Sequence, residues 1–191
     1  MHVVSHFLAG WAGSLPLDMD SRDRGLIAFA SVSPDLDGLV VIADLAQGRP
    51  LDGCELYAAC HHVLCHNVLF AVVASLAFGC LARRKLAVGL MSLLAIAFHF
   101  VTDLVGSAGP DGSVWGIHLL FPLSGSGFLE VPWQWALNAW PNIGFTVGLL
   151  ALSLHWAWKH GTSPVGVFSA RADRALVMTL RRRFGEPAME P

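Results

Sequence analysis

The chain has 191 residues, of which 54% are hydrophobic and 14% are charged, and its formal net charge at pH 7 is −2. Ordinary soluble domains carry roughly 25% charged residues, and the mean hydropathy of +0.57 points to a membrane protein instead. The length suits one domain with a sizeable core. The small net charge excludes a broad nucleic-acid-binding surface, so no nucleic acid is expected as a partner.

Five apolar stretches follow one another along the chain. A bilayer span needs about 20 residues, with a range of about 17–25; the fourth stretch reaches this length alone, and the third and fifth reach it with their flanks. Pro34 is expected to break or kink the second stretch, and the segments 48–60 and 106–142 contain the glycines and prolines of loops. The stretches are 2–17, 25–47, 68–82, 86–105 and 143–158.

These stretches predict an all-α protein, a multi-helix membrane bundle with a His/Asp metal site between helices. The helical membrane domain is expected over residues 1–160, and a basic polar C-terminal tail over 161–191 with a short amphipathic helix at 171–184. The positive-inside rule places the basic loop 83–85 in the cytoplasm, and the last span returns the basic C-terminus to the same side. We expect an integral protein of a bacterial inner (cytoplasmic) membrane.

The four cysteines, at positions 54, 60, 65 and 80, include no C-x-x-C pair. This spacing excludes a zinc ribbon. A disulfide between Cys54 and Cys60 requires that their loop face an oxidising compartment. Small thiols that pack in the interior are the simpler expectation.

The pair His99-x-x-x-Asp103 ends a run without charged residues, because no Lys, Arg, Asp or Glu occurs from Leu86 to Thr102. In a helix the two side chains lie one turn apart on the same face. A neutral imidazole and a carboxylate so placed can bind one divalent cation. An ionisable pair in apolar sequence is costly unless it is paired or ligated, so the pair predicts a functional site.

Other histidines and carboxylates fall at a similar depth in the predicted bundle. With a rise of 1.5 Å per residue, and counting from the nearest basic residue, Asp37, His99, His6 and His66 lie roughly 20–26 Å from the cytoplasmic side. Scattered structural histidines have no reason to coincide in this way. The coincidence predicts a single polar site toward the outer half of the bilayer.

The motifs, in chain order, are Ser5-His6, Pro34-Asp35-Leu36-Asp37, His61 with His66, His99-x-x-x-Asp103 and Leu119-Leu120-Phe121-Pro122. Together they resemble the YdjM-type membrane-bound metal-dependent hydrolases, whose motifs are approximately Pro-Asp-x-Asp, His-Arg-x-x-Thr-His-Ser, His-x-x-x-Asp and Leu-Leu-Trp-Pro. The resemblance covers about residues 5–123. That family is in turn similar to the all-helical zinc-dependent phospholipase C and P1-type nuclease group, which cleaves phosphoesters with zinc held by His and Asp.

The chain departs from this family pattern at four positions. His62 stands where the family has Arg, Cys65 where it has Thr, Asn67 where it has Ser, and Phe121 where it has Trp. An Arg can hold a phosphate group. Its replacement leaves two possibilities, a different substrate class or His62 as an added ligand.

The residues and the resemblance together predict a metal-dependent hydrolase that acts on a small-molecule or lipid phosphoester, with membrane lipid as its other partner. The metal is a divalent ion, Zn²⁺ with Mn²⁺ as the alternative, that activates water. Asp35 or His118 is the predicted general base, and Asp35 can instead orient a ligand imidazole. The predicted metal ligands are His6, Asp35, Asp37, His61, His66, His99 and Asp103.

Two other hypotheses remain open at this point. One is a non-catalytic metal- or haem-binding membrane protein, such as a sensor or transport component, because transmembrane histidines can hold haem axially. The carboxylates favour a hard or borderline ion over haem iron. The other is a buried polar network that only holds helices together.

Overall fold

The computed structural model describes residues 1–50, 53–109 and 112–187. The protein is mostly helical, as predicted, and one short antiparallel pair joins β1 (Ile117–His118) to β2 (Phe128–Leu129). The helices are α1 (Val3–Gly13), α2 (Ser21–Val32), a 3-10 helix (Ser33–Val40), α3 (Val41–Ala46), α4 (Glu55–Cys60), α5 (Val68–Leu81), α6 (Lys85–Gly106), α7 (Trp140–His160), a second 3-10 helix (Pro164–Val167) and α8 (Ala170–Phe184).

Every predicted apolar stretch contains helix, and the predicted amphipathic helix of the tail corresponds to α8. Pro34 breaks the second stretch as the sequence predicts, because the α-helix α2 ends at Val32. It occupies the first turn of the 3-10 helix Ser33–Val40, where a missing N–H group is tolerated. The chain therefore tightens there and continues into α3. The predicted loop 48–60 contains α4, and the predicted loop 106–142 contains β1 and β2.

Helix α6 lies at the centre of the bundle and packs against α1, α2 and α5, while α1 packs against α2 and α7. The approach of α1 to α2 depends on a glycine: a Cβ atom at Gly10 would lie 2.6 Å from the Cβ atom of Ser31. A cluster of Ile96, Phe100, Ala30 and other buried residues fills the space between these helices. The arrangement brings α1, the 3-10 helix after α2 and the C-terminal half of α6 together.

The N-terminal end of α6 is fixed by a buried carboxylate. Asp23, on α2, accepts hydrogen bonds from the backbone N–H groups of Arg83 at 3.0 Å and Arg84 at 2.9 Å. The Arg24 guanidinium donates to the carbonyl oxygens of Ser14 and Leu17, both at 2.7 Å. These contacts join the α1–α2 turn to the α5–α6 turn.

Two segments are long and apolar enough to cross a membrane by length and composition, within the part of the chain described above. They are Ser21–Ala46 and Lys85–Gly106. Cys60, Cys65 and Cys80 are free thiols, and Cys80 is exposed, whereas Cys54 is buried. Helix α8 contacts the end of α7, where Arg181 Nε donates to the carbonyl oxygen of Trp158 at 3.1 Å.

Candidate metal centre

Two buried histidines, His66 and His99, face each other with their Nε2 atoms. The Nε2 atoms of His66 and His99 lie 3.1 Å apart. The Nδ1–H group of His99 donates to the carbonyl oxygen of Ser31 at 2.7 Å, and that of His66 donates to Asp37 Oδ2 at 2.9 Å. A neutral imidazole carries one N–H, so both Nε2 atoms present lone pairs. Lone pairs at this distance require a cation or a proton between them.

Asp103, one turn after His99 on α6, adds its carboxylate to the same point, as the sequence predicts. Oδ2 lies 3.0 Å from His99 Nε2 and 3.5 Å from His66 Nε2. Oδ1 lies 3.1 Å from Nε2 of His6, on α1, and also contacts the amino group of Met1. Asp103 is only 1% exposed, so a cation held here is shielded from water.

Asp35 reaches the centre from the 3-10 helix. Its Oδ1 atom lies 3.7 Å from His99 Nε2. Its Oδ2 atom is buried and has no hydrogen-bond partner among the described residues. A buried carboxylate oxygen without a donor carries a desolvation cost, which a bound cation or water offsets.

The donor atoms fall into three overlapping groups, and within each group they lie within 4.8 Å of one another. For a tetrahedral zinc ion with bonds of about 2.0–2.2 Å, neighbouring ligand atoms lie about 3.3–3.6 Å apart. The distances around Asp103 run from 3.0 to 3.7 Å. This buried His/Asp cluster can therefore hold a metal ion. The groups are His6, Asp35, His99 and Asp103; His62, His66 and Asp103; and Asp37, His61 and His66.

Asp37 has donors on both of its oxygens. Oδ1 is 2.7 Å from Nδ1 of His61, and Oδ2 accepts from His66 Nδ1 at 2.9 Å and from the Cys65 backbone N–H at 3.1 Å. A carboxylate that hydrogen-bonds the far nitrogen of a ligand imidazole fixes the ring and raises its basicity. Asp37 has this geometry toward His66. The prediction that Asp37 itself ligates the ion stays a prediction.

The turn 61–67 presents three histidines. The i, i+4 spacing of His62 and His66 would place them on one face of a helix, but the turn is not helical, so they do not share such a face. Asn67 holds the turn, because its Nδ2 atom donates to the carbonyl oxygens of Val63 and Leu64 and its Oδ1 atom accepts from the Phe70 N–H at the start of α5. The residue that departs from the family motif here is therefore the cap of α5.

His62 has a backbone φ of 67°, in the left-handed region that residues with a side chain rarely adopt. This conformation brings its Nε2 atom to 3.7 Å from Asp103 Oδ2. Its Nδ1 atom is buried without a hydrogen-bond partner in the described part of the chain. Strain of this kind clusters at functional sites. The sequence offers His62 as an alternative ligand, and the structure places its Nε2 atom beside Asp103.

Burial and neighbouring charge act in opposite directions on the histidines of this turn. Burial lowers the pKa of His62 to about 2, and the charge of His66 adds to the effect. Burial also opposes protonation of His66, but hydrogen bonds and charge from Asp103 and Asp37 outweigh it and raise its pKa to about 9. Without an ion, His66 therefore carries the positive charge of the centre at neutral pH.

His118, the second predicted general base, belongs to none of the three donor groups. Its ring packs against the ring of Phe128, with centroids 4.9 Å apart. Its backbone N–H donates to the carbonyl oxygen of His62 at 3.4 Å. The strand β1 thus supports the turn that carries His62, and the catalytic role of His118 stays a prediction.

An aromatic wall closes the side of the centre near His61, and no sequence motif indicated it. The ring of Tyr57 stacks on His61 with centroids 4.6 Å apart. The ring of Trp115 meets His61 and His62 edge-on, with centroids 5.6 and 5.3 Å apart. Burial raises the pKa of Tyr57 to about 12, and the charges of Asp35 and Asp37 add to this. Tyr57 is therefore neutral at physiological pH.

No protein-family model, curated protein or solved structure matches the chain. The resemblance to the YdjM-type hydrolases stays a prediction that rests on the order of the motifs, and the geometry above carries the functional argument.

Proposed function

We propose that this chain is an integral membrane hydrolase that uses a divalent metal ion, zinc or manganese, to cleave a phosphoester in a lipid or another amphiphile. The observation that carries the proposal is the 3.1 Å approach of His66 Nε2 and His99 Nε2, each with its other nitrogen already donating. A divalent metal ion binds both lone pairs at once, in place of the proton that His66 carries without an ion.

The surface supports placement in a membrane. Leu76 on α5 and Leu86 on α6 are 64% and 77% exposed, and exposed apolar side chains continue along α3 and α7. Many large apolar side chains exposed along neighbouring helices are unusual on soluble monomers. Trp133 and Trp140, both exposed, lie just before and at the start of α7, where tryptophans mark a membrane interface.

The residues of the centre divide into binding and proton-handling roles. His6, His66, His99 and Asp103 bind the ion, and Asp37 orients His66. A divalent ion supplies polarisation of the phosphoester oxygen and a lower pKa for water. The free Oδ2 atom of Asp35 is the acceptor for the proton of that water. Hydrolysis adds the water oxygen to phosphorus, breaks the ester P–O bond and returns a proton to the leaving alcohol.

The test is elemental analysis of detergent-purified protein beside a panel of phosphodiester and phosphomonoester lipids. We expect stoichiometric zinc or manganese and metal-dependent release of phosphate or of a phosphorylated headgroup. The double variant His99→Ala/Asp103→Ala should lose both, and His155→Ala, on the exposed face of α7, should keep both.

Circular dichroism and size-exclusion elution in detergent establish that the double variant is folded. The absence of stoichiometric metal from the wild-type protein after a reload attempt would overturn the proposal. Stoichiometric metal without hydrolysis of any phosphoester would leave a metal-binding protein, and a visible Soret band would identify that protein as a haem binder.

A further inference from the structure

An apolar groove of about 360 Å³ lies between α1, α2, α6 and α7. None of the described residues that line this α1–α6 groove is charged. Cavities of about 300–1,000 Å³ with apolar walls and a few polar groups are typical of small-molecule sites. The lining includes Gly10 and Gly13 on α1, Ser31 on α2, and Leu94, Ala95 and Phe98 on α6.

The groove begins one helical turn from the candidate metal centre. On α1, Gly10 follows His6 by four residues, and on α6, Ala95 precedes His99 by four. Residues four apart lie on the same face of a helix. On α2, the carbonyl oxygen of Ser31 accepts from His99 Nδ1 at 2.7 Å. A molecule whose polar end lies at the centre can therefore place its apolar end in the groove.

The groove opens sideways, toward the lipid that surrounds the proposed membrane protein. Leu94 and Phe98 line the groove and are also exposed. At 1.5 Å per residue, the part of α6 that lines the groove, residues 91–98, lies about 9–20 Å beyond Lys85. A bilayer has a hydrocarbon core about 30 Å thick. The groove therefore lies at the depth of lipid acyl chains, and the centre lies beyond it toward the outer headgroups.

One polar atom of the groove lacks a partner. The Oγ atom of Ser31 is fully buried and has no hydrogen-bond partner among the described residues. A buried hydroxyl without a partner carries a desolvation cost. An ester carbonyl oxygen of a bound lipid offsets this cost by accepting from Ser31 Oγ. The ligand that fits is apolar along its length and carries an acceptor at the end near the centre.

The size of the groove favours a hydrocarbon chain over a helix of another protein. One turn of α-helix, about 10–12 Å across and 5.4 Å long, occupies roughly 400–600 Å³. That is more than the 360 Å³ of the groove. A single acyl chain is narrower than a helix and can enter from the lipid side.

We propose that the α1–α6 groove binds one acyl chain of a phospholipid whose phosphate lies at the His/Asp cluster. The inference rests on the proposed function and narrows its substrate class to phosphoesters that carry an acyl chain. The groove then positions the phosphate at the metal ion, since a misplacement of about 1 Å can lower a rate about 100-fold.

The experiment uses the full chain, loaded with Zn²⁺ and reconstituted in phosphatidylcholine vesicles that contain phosphatidic acid with a photoactivatable diazirine in the middle of one acyl chain. Mass spectrometry locates the cross-links. A parallel assay in detergent measures kcat/KM for long-chain phosphatidic acid and phosphatidylglycerol, each compared with its deacylated, water-soluble form.

Gly13→Leu fills the groove without a backbone clash, because a Cβ atom at Gly13 meets nothing within 4 Å. We expect cross-links to residues 91–98 in the wild-type protein and few in this variant. The ratio of kcat/KM for acylated over deacylated substrate should fall about 10–100-fold, whereas a general structural defect lowers both values and leaves the ratio unchanged. Gly144→Leu, on α7, also has open space at its Cβ atom and is the matched control, which should behave as wild type.

Cross-links confined to outer surfaces such as that of Leu76, with hydrolysis intact, overturn the groove and leave the proposed hydrolase standing. Groove cross-links in a protein that binds no metal and cleaves no phosphoester overturn the hydrolase and leave the acyl-chain site. Undiminished groove cross-links or an unchanged ratio in folded Gly13→Leu overturns the inference. A dimer that Gly13→Leu dissociates, without groove cross-links, assigns the groove to a second copy of the chain. The wild-type cross-link map decides the question even where the variant fails to fold.

Discussion

Helix α6 has a buried aspartate contact at each end, and the two differ in how their hydrogen bonds are completed. Asp23 and Asp103 are both 1% exposed. At the N-terminal end, each oxygen of Asp23 accepts one backbone N–H. At the C-terminal end, Asp103 faces imidazole nitrogens, two of which belong to rings whose Nδ1–H groups are already donated elsewhere.

The comparison separates a structural carboxylate, Asp23, from a candidate metal ligand, Asp103. Buried polar groups in folded proteins are nearly always paired, and the Asp23 end meets this rule with its own donors and acceptors. The Asp103 end has surplus acceptors and unpartnered atoms on Asp35 and His62. A cation supplies what is missing there, and nothing is missing at Asp23. Substitutions at the two ends should therefore have different consequences.

Asp103→Asn should have the largest effect on metal content and on phosphoester hydrolysis. The amide keeps the shape of the side chain but removes the charge and one of the two acceptor oxygens, so the nitrogens around it lose the cation that they share. Metal content and phosphoester hydrolysis should both fall to background, as measured by elemental analysis and product release. Full metal content in the folded variant would show that Asp103 is not a ligand.

Asp37→Asn should have the next largest effect, a loss of metal affinity. Loss of a carboxylate that orients a ligand imidazole typically lowers metal affinity about 10–100-fold, because the His66 ring is then less basic and less firmly held. Competition with a chromophoric chelator measures the change. Asp173→Asn is the control, since Asp173 is also buried and accepts from Ser163. An affinity equal to that of the control would assign Asp37 no orienting role.

The pH dependence of metal binding should be steep below pH 9. The pKa of His66 is raised from 6.5 to about 9, so at neutral pH an ion has to displace its proton. Affinity should rise about tenfold per pH unit between pH 7 and 9, one proton being released per binding event. Titration calorimetry in buffers of different ionisation enthalpy counts that proton. Binding without proton release at pH 7.5 would contradict the ligand role of His66.

The smallest effect on metal is expected for Asp23→Asn, which tests the structural end of α6. The amide NH₂ group faces a backbone N–H group that has lost its acceptor. The free energy of unfolding should fall by about 1–3 kcal/mol, the cost of an unsatisfied buried group, with metal content unchanged. Thermal unfolding in detergent and elemental analysis measure the two. A loss of metal from the folded variant would mean that the two ends are coupled.

The parts of the centre that sequence can predict are those on a helix, or next to the end of one, in apolar sequence. The spacing of His99 and Asp103 fixes their shared face, and the common depth of His6, Asp37, His66 and His99 brings four segments to one level. All four of these segments meet at the centre in the structure. Periodicity carries this information because a helix converts residue number into distance.

Other parts depend on backbone that has no period. His62 reaches Asp103 only through a left-handed φ of 67°. His62 and His66 lie close together because of the turn 61–67, and not because their spacing places them on one face of a helix. The orienting hydrogen bonds of Asp37 depend on a turn held by Asn67. Trp115 comes from a separate segment and carries no local signal. The spacing of the residues does not encode the substrate, so the substrate stands as a proposal.

Gly10 lies one turn after His6 on the same face of α1, and a Cβ atom there would meet the side chain of Ser31 at 2.6 Å. The ring of His6 can stack on His99, with centroids 3.7 Å apart, only because this position is empty. A sequence pattern meant to find this centre in other chains therefore has to specify a missing side chain as well as the ligands. A chain with every His and Asp in place and a bulky residue at this position would hold its first helix too far away.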